Sequence, residues 1–315
     1  MSILPSIITH RSQSSLMMGI GSVLAGTACA ALRGNTEILP ATLCIAFVIF
    51  AQLSANFYYQ YFDESNRCGN NIDLRIHTRF QDSGFPLLKE FSIGMLMLAV
   101  MTGMALAVMS GWWIIVIGAF LLISGWLACG GSLPLLRTPY GPICSFMLFG
   151  PVAVISTSMI QISHDSVERA AWYYVTPSIY MSVVIGLMCV NSTLMYGYST
   201  FVRDLRNTKE SFVTTFGRKA TRFMFIANSL LYTGISIYMC LSLHLKLNGL
   251  DIMPAILCLI IDIYIWRKMR SLPRHQLNGL VDIANFNVLL MGLLSFLIFE
   301  LTGEPDDSTL TFFGL

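Results

Sequence analysis

Long apolar runs alternate with short polar breaks along this chain. A transmembrane helix needs about 20 mostly apolar residues. On that scale the runs fall at about 14–33, 39–61, 90–109, 111–130, 142–161, 173–198, 221–243, 248–266 and 281–301. Ser110-Gly111, Gly130-Gly131 and Pro273 mark breaks between them. The pattern predicts an all-α membrane protein, a bundle of nine transmembrane helices forming one polytopic domain over residues 1–315.

Two of the runs end in polar positions that are periodic rather than scattered. Gln52, Asn56, Gln60 and Asp63 recur at intervals of four, four and three. Thr193, Tyr196, Thr200 and Asp204 recur at three, four and four. Each set lies on one helical face. Each runs into a charged segment, at about 62–89 and 199–220, four spans apart and so on the same side of the membrane.

The charges set the orientation. With the N-terminus inside, the inner segments hold sixteen of the nineteen Lys and Arg residues; only Arg33, Arg169 and Lys246 fall outside. Basic residues concentrate on the cytoplasmic side of membrane proteins. Both charged segments are therefore expected to face the cytoplasm, in a bacterial inner membrane. Arg11 before the first run and Ala28-Cys29-Ala30 within it imitate a secretory signal, but the charge alternation needs that helix to stay.

Composition agrees with lipid as the main solvent. The chain is 55% hydrophobic and 11% charged, with a mean hydropathy of +0.67, against about 25% charged residues in a soluble domain. Seven of the eight cysteines lie in apolar runs, Cys68 being the exception, and no C-x-x-C pair or Cys/His cluster appears. Neither a disulfide framework nor a zinc finger is expected. No Walker loop, dinucleotide fingerprint or nucleophile elbow is present, and no nucleic-acid partner is expected.

The two stripes and their loops gather carboxylates (Asp63, Asp73, Asp204), amides (Asn56, Gln60), bases (Arg79, Arg203, Lys209) and aromatic rings (Phe57, Tyr58, Tyr59, Tyr61, Tyr196, Tyr198). Carboxylates beside bases suit a Mg²⁺–diphosphate site, because Mg²⁺ takes one or two carboxylates together with substrate phosphate oxygens. Aromatic faces attract a developing carbocation. Isolated polar residues at membrane ends are ordinary, but two co-facing stripes point to function, since intramembrane polar groups are costly. Asp262, about one turn before Arg267 and Lys268, reads instead as an ion-pair or snorkelling partner at a helix end.

The residues also carry a family resemblance. Asn56-Phe-Tyr-Tyr59-Gln60-Tyr61-Phe62-Asp63, then Arg79-Phe-Gln-Asp-Ser83-Gly84, resembles the first Asp-rich motif of the UbiA-type intramembrane aromatic prenyltransferases. Residues 130–161 (GGSLPLLRTPYGPICSFMLFGPVAVISTSMIQ) are similar to the family's stretch that runs from Gly-Gly-x-x-Pro through Phe-Gly to a closing Gln. Arg203-Asp204 and KESFVTTFG (209–217) are similar to its second motif, and HRSQSSL…LAGTACA to its opening. The likeness covers about residues 11–220, and is nearest to the 1,4-dihydroxy-2-naphthoate prenyltransferases of menaquinone synthesis. Two family carboxylates are replaced: the Asn-Asp pair falls on Tyr59-Gln60, and the second Asp of the second motif falls on Thr208.

The resemblance implies nine helices and two Asp-rich cytoplasmic motifs. It implies catalysis at Asp63 and Asp204, Mg²⁺ on Asp63, Asp204 and Asp73, and substrate contacts from Asn56, Gln60, Arg79, Arg203, Lys209 and Tyr196. The substrates would be a polyprenyl diphosphate and an aromatic acceptor such as a dihydroxynaphthoate, both met in the bilayer. A non-catalytic isoprenoid- or quinone-binding relative is the alternative that the lost carboxylates suggest. A transporter is disfavoured because the ionisable groups cluster at one face rather than around the midplane.

The orientation has a direct check. With the other seven cysteines replaced, Cys68 should react with an impermeant thiol reagent only after the inner face of the membrane is opened. Labelling of Cys68 in intact cells would reverse the assignment.

Overall fold

A computed structural model describes residues 10–33, 36–69, 85–129, 138–161, 164–206, 210–243, 250–271 and 276–302. These residues form nine helical rods. They are α1 His10–Ala31, α2 Ile38–Gly69, α3 Phe85–Ser110, α4 Trp113–Cys129, α5 Gly141–Gln161, α6 His164–Arg206, α7 Phe212–Ser242, α8 Met253–Ser271 and α9 Leu277–Thr302. α2, α3, α5, α6, α7 and α9 each contain a stretch long and apolar enough to cross a membrane, while Ser15–Ala31 and Trp113–Leu127 are shorter apolar helices. α8 carries Asp262 and the basic run Arg267, Lys268 and Arg270 within its nineteen residues. The architecture is all-α, as the apolar runs predict.

Burial ranks the helices. In α6, 72% of the apolar window is buried, against 22% in α3. α6 is therefore the central rod, and α3 presents large apolar side chains such as Met101 and Val108 to the surroundings. In water such a surface would drive association; in lipid it is the ordinary outer face of a bundle. One core cluster joins α1, α5, α6, α7, α8 and α9 around Val184, Ile185, Cys189 and Tyr232. Another joins α6, α7, α8 and α9 around Met195, Phe225 and Ile265. A third joins α1, α2, α3 and α4 around Phe47 and Ala99.

Small residues set the tightest crossings. A Cβ added at Gly292 of α9 would fall on the carbonyl oxygen of Gly21 in α1, and one at Gly21 would lie 2.7 Å from the oxygen of Val288. Gly150 of α5 meets Ser182 and Gly186 of α6 in the same way, and Gly26 of α1 meets Val154. Helices in lipid associate through such close approach, because burying apolar surface gains little when the solvent is itself apolar. Between Leu148 and Ile155, α5 widens into a π-helix with Pro151 inside it. Proline removes a backbone donor and crowds the preceding turn, and a π-bulge is one way for the helix to absorb it.

Two helices outrun the expected spans. α2 continues through Gly69 and α6 through Arg206, so Asp63 and Asp204 stand on helix rather than in loops. A polar residue at a membrane boundary does not end a helix; that takes Gly, Pro or an unmet cap. α7 begins at a capping box, in which the Ser211 hydroxyl accepts from the Thr214 N–H and the Thr214 hydroxyl accepts from the Ser211 N–H. It kinks at Gly217, whose φ of +82° a residue with a Cβ rarely adopts.

Asp262 departs from its expected role. It is 2% exposed, nine residues from each end of α8. It accepts hydrogen bonds from Asn191, Ser229, Tyr232 and Asn287, and Lys268 stacks instead over Tyr264. Intramembrane carboxylates turn toward the bundle interior when donors wait there, and those donors lie on three other helices. One ionisable group therefore sits near the middle of the bundle, away from the polar end.

The glycine crossing yields a measurable outcome. Gly292→Ala should cost about 1–3 kcal/mol, the usual range for overpacking a tight interior, read as a lower unfolding temperature in detergent. Gly279→Ala, where an added Cβ meets nothing within 4 Å, should leave it unchanged or raise it. Equal effects at the two sites would show that the crossing is not tight.

Candidate active site

The polar end of the bundle holds an open pocket, lined from four helices and the turn before α5. α6 supplies Thr193, Leu194, Tyr196, Gly197, Thr200, Arg203 and Asp204; α2 supplies Tyr59; Thr138 and Pro142 come from the start of α5, and Ser211, Phe212 and Val213 from that of α7. The α6 stripe read from the sequence is thus one whole wall. The pocket lies where α2 and α6 end and where α5 and α7 begin, so these four ends share one face of the bundle.

Asp204 is the chemical centre of that wall. It is 8% exposed, and its Oδ2 accepts from Thr200 Oγ1 at 2.7 Å. Arg203 Nε stands 4.0 Å from its Oδ1, and Arg203 Nη2 donates to the Tyr196 hydroxyl at 3.1 Å. The Arg203 side chain is half exposed, so its contribution to folding is small. What the arrangement offers is a cation, a carboxylate and a phenol along about two turns of helix, with a neutral hydroxyl holding the carboxylate in place.

The α2 stripe is used differently. Asn56 Nδ2 donates to Ser15 Oγ of α1 at 2.7 Å, Gln52 lies against Gly19 of α1, and neither lines the pocket. Gln60 is half-buried and is also absent from the lining. Asp63 stands on α2 one helical turn beyond Tyr59, and its side chain lies outside the description. Asp73, Arg79 and Lys209 lie outside the described residues. Of the aromatic rings, Tyr59 and Tyr196 reach the pocket. Phe57 packs on Phe91, Tyr58 stacks on Trp126 at 4.1 Å, and Tyr198 donates to the Met269 carbonyl.

Thr138, Pro142 and Ser211 were not singled out in the sequence. The capping box at Ser211–Thr214 marks a helix start and would have placed Ser211 beside the end of α6; nothing local marks Thr138.

Among the described residues no group of three His, Cys, Asp or Glu side chains could hold a metal ion. A closed protein cage is not what Mg²⁺ needs: it keeps several waters and takes one or two carboxylates plus substrate phosphates. Asp204 is one carboxylate of that kind on the pocket wall, with the Arg203 cation beside it.

Known proteins sharpen this geometry. No protein-family model matches the chain. Three curated relatives, all named 1,4-dihydroxy-2-naphthoate octaprenyltransferase, come from Mycobacterium tuberculosis, Bacillus subtilis and Mycobacterium leprae. The first is 25% identical over 214 residues, covering 67% of this chain and 70% of its own length. The second is 21% identical over 190 residues, covering 60% and 57%. The third is 28% identical over 152 residues, covering 47% and 50%. The match thus spans between half and about two thirds of these relatives. Among solved structures, a UbiA homologue from Aeropyrum pernix K1 aligns with a TM-score of 0.61 at 13% identity, over 88% of this chain and 94% of that one. A digeranylgeranylglyceryl phosphate synthase aligns with a TM-score of 0.57 at 15% identity, over 94% and 99%.

Those two likenesses define the class, a multi-pass membrane bundle of the UbiA type. The curated relatives add a likeness in sequence, at 21–28% identity, to proteins named as prenyltransferases.

The Thr200 hydroxyl gives the site its own test. A hydrogen bond to a charged group contributes about 1.5–3 kcal/mol. In a double-mutant cycle of Thr200→Val and Asp204→Asn, unfolding in detergent should show coupling of that order. Additive effects would mean that the hydroxyl does not hold the carboxylate.

Proposed function

We propose that this protein transfers a polyprenyl group from an allylic diphosphate to an aromatic acceptor, with 1,4-dihydroxy-2-naphthoate the acceptor its curated relatives favour. The observation that carries the reading is the Asp204–Thr200–Arg203–Tyr196 wall, facing Tyr59 in one open pocket. In the transfer, the bond between the allylic carbon and the diphosphate oxygen breaks and a carbon–carbon bond to the ring forms. In the menaquinone branch, loss of the ring carboxylate accompanies attachment.

Each residue has a task. Arg203 meets diphosphate oxygens as negative charge grows on the leaving group, a role for preorganised cations. Asp204 and Asp63 would hold Mg²⁺, which supplies further charge neutralisation when bound with the diphosphate. Arg79 and Lys209 would add further cations for the phosphates. Tyr59 and Tyr196 offer ring faces to the allylic cation and, as phenols, polar edges to the acceptor. Asn56 acts at one remove by holding α1 against α2 through Ser15. In this reading the pocket opens to the cytoplasm of a bacterial cell, with the prenyl tail in the bilayer.

A binding-only relative is the second reading. It is favoured by Tyr59, a phenol on the pocket wall where the resemblance leads one to expect an amide beside a carboxylate.

Turnover separates the two. The purified protein in liposomes, given Mg²⁺, a labelled allylic diphosphate and a panel of aromatic acceptors, should form a prenylated naphthoquinol product. Expressed in a bacterium lacking its naphthoate prenyltransferase, the chain should restore some menaquinone. Asp63→Asn and Asp204→Asn should each lower turnover by about 10²-fold or more, the scale for single groups that stabilise transition-state charge. No product from well-inserted protein would favour binding alone, and wild-type rates in the double mutant would overturn the assignment of the two carboxylates.

A further inference from the structure

The largest polar construction in the described residues lies away from the pocket. Asp262 Oδ2 accepts from Ser229 Oγ at 2.7 Å, Asn191 Nδ2 at 3.1 Å and the Tyr232 hydroxyl at 3.2 Å. Its Oδ1 accepts from Asn287 Nδ2 at 2.9 Å. Around this ring, Asn191 Nδ2 also donates to Ser229 Oγ at 2.9 Å, Asn228 Nδ2 to Asn191 Oδ1 at 3.3 Å, and Asn287 Nδ2 to the Cys258 carbonyl at 3.1 Å. α6, α7, α8 and α9 each contribute a side chain. All four donors to the carboxylate are neutral, and Asn191, Ser229, Tyr232 and Asn287 are buried.

The α6 arm of this hub is Asn191, two residues before the first pocket-lining residue, Thr193. At about 100° per residue, Asn191 and Thr193 point to nearly opposite sides of the helix. A hydrogen bond fixed at Asn191 therefore fixes the rotation of α6 about its own axis, and with it the direction of the Thr193–Tyr196–Thr200–Asp204 stripe. Nearer the pocket end, Tyr198 donates to the Met269 carbonyl of α8 at 2.9 Å, and Arg218 of α7 stacks on Tyr198 and Phe201 at 4.9 and 4.7 Å. The back of α6 is thus tied twice to α8, once at mid-depth and once near the pocket end.

We propose that Asp262 is a positioning residue for the pocket: through Asn191 it sets the rotation of α6 and so the place of Arg203 and Asp204. The proposal rests on the prenyl-transfer reading. With a carboxylate roughly 6 Å from the helix axis, a turn of about 20° moves it about 2 Å. A misplacement near 1 Å costs on the order of 10²-fold in rate where geometry is decisive. A dedicated carboxylate also makes the hub specific. Two oxygens accept four donors at once, which an amide at the same place cannot do, since one of its two ends is itself a donor.

Three variants and two readouts test it. Asp262→Asn turns one acceptor into a donor that faces donors. Asn191→Leu removes only the α6 arm and leaves the carboxylate three donors, so it serves where Asp262→Asn fails to insert. The exchange Asn191→Asp/Asp262→Asn restores a donor–acceptor pair between α6 and α8 with the charge moved to α6. Each is assayed for kcat per folded, inserted protein, and for the distance between spin labels coupled to unnatural amino acids at exposed Leu205 of α6 and Lys89 of α3.

The single variants should lose at least about tenfold in kcat and shift the label distance by roughly 3 Å, from helix rotation. The exchange should recover most of both. Unchanged kcat and distance in variants that are merely less heat-stable would overturn the proposal, as would an exchange that rescues neither. If the parent transfers no prenyl group while the distances still shift and recover, the transfer reading fails and the hub still orients α6. If the parent is active and the distances stay fixed, the hub proposal fails and the transfer reading stands.

Discussion

A carboxylate among hydrocarbon-clad helices persists only where donors surround it, because an unpaired buried charge costs far more than any contact returns. That constraint organises this bundle. Asp204 is met by a hydroxyl, by a guanidinium at 4.0 Å and by an open pocket. Asp262 is met by four neutral donors and no opening, at 2% exposure. The first arrangement leaves coordination capacity for something that arrives; the second consumes it. Burial alone would not tell the two acids apart, since both are nearly inaccessible, but the donor count does.

The hub and the pocket need a frame that does not slide. Close glycine crossings provide it where the apolar effect does not, with Gly21 on Gly292 joining α1 to α9 and Gly150 on Gly186 joining α5 to α6. Backbone against backbone leaves little freedom to slip. The π-segment Leu148–Ile155 contains two such approaches, Gly150 on α6 and Val154 on Gly26 of α1. Polar pairs add register: Asn56 to Ser15 between α1 and α2, Gln161 Nε2 to Thr27 Oγ1 between α5 and α1, and Ser54 with Ser92 between α2 and α3.

The features that the sequence discloses are the local ones. Apolar runs and a 3.6-residue period are local, so the helices and the Thr193–Asp204 stripe were legible. The likeness to the UbiA family came from short motifs of the same kind. Asp262 was misread because its nearest notable neighbours in sequence are Arg267 and Lys268, whereas its partners stand at 191, 229, 232 and 287. Nothing near Asp262 signals them. The α2 stripe was legible as a face but not as to what it faces: Gln52 and Asn56 meet α1, and Tyr59 meets the pocket. Counting polar side chains favoured the amides, although the aromatic ring makes the wall.

The unequal halves of the site then have a physical sense. α6 is the buried central rod, tied on its far side to α8 at Asn191 and at Tyr198, so a carboxylate carried on it is held in place. α2 lies at the side of the bundle against α1, α3 and α4, with Tyr58 stacked on Trp126 and Ser54 on Ser92. Its window is only 28% buried, and its Asn56 is spent on Ser15 of α1. A carboxylate at Tyr59 or Gln60 would have to be positioned by a less constrained rod. A phenol there tolerates that freedom better, because a ring face acts over several ångströms of approach whereas metal coordination tolerates only tenths. The rigid helix carries Asp204, whose place must be exact, and at Tyr59 the looser one presents an aromatic surface whose place need not be.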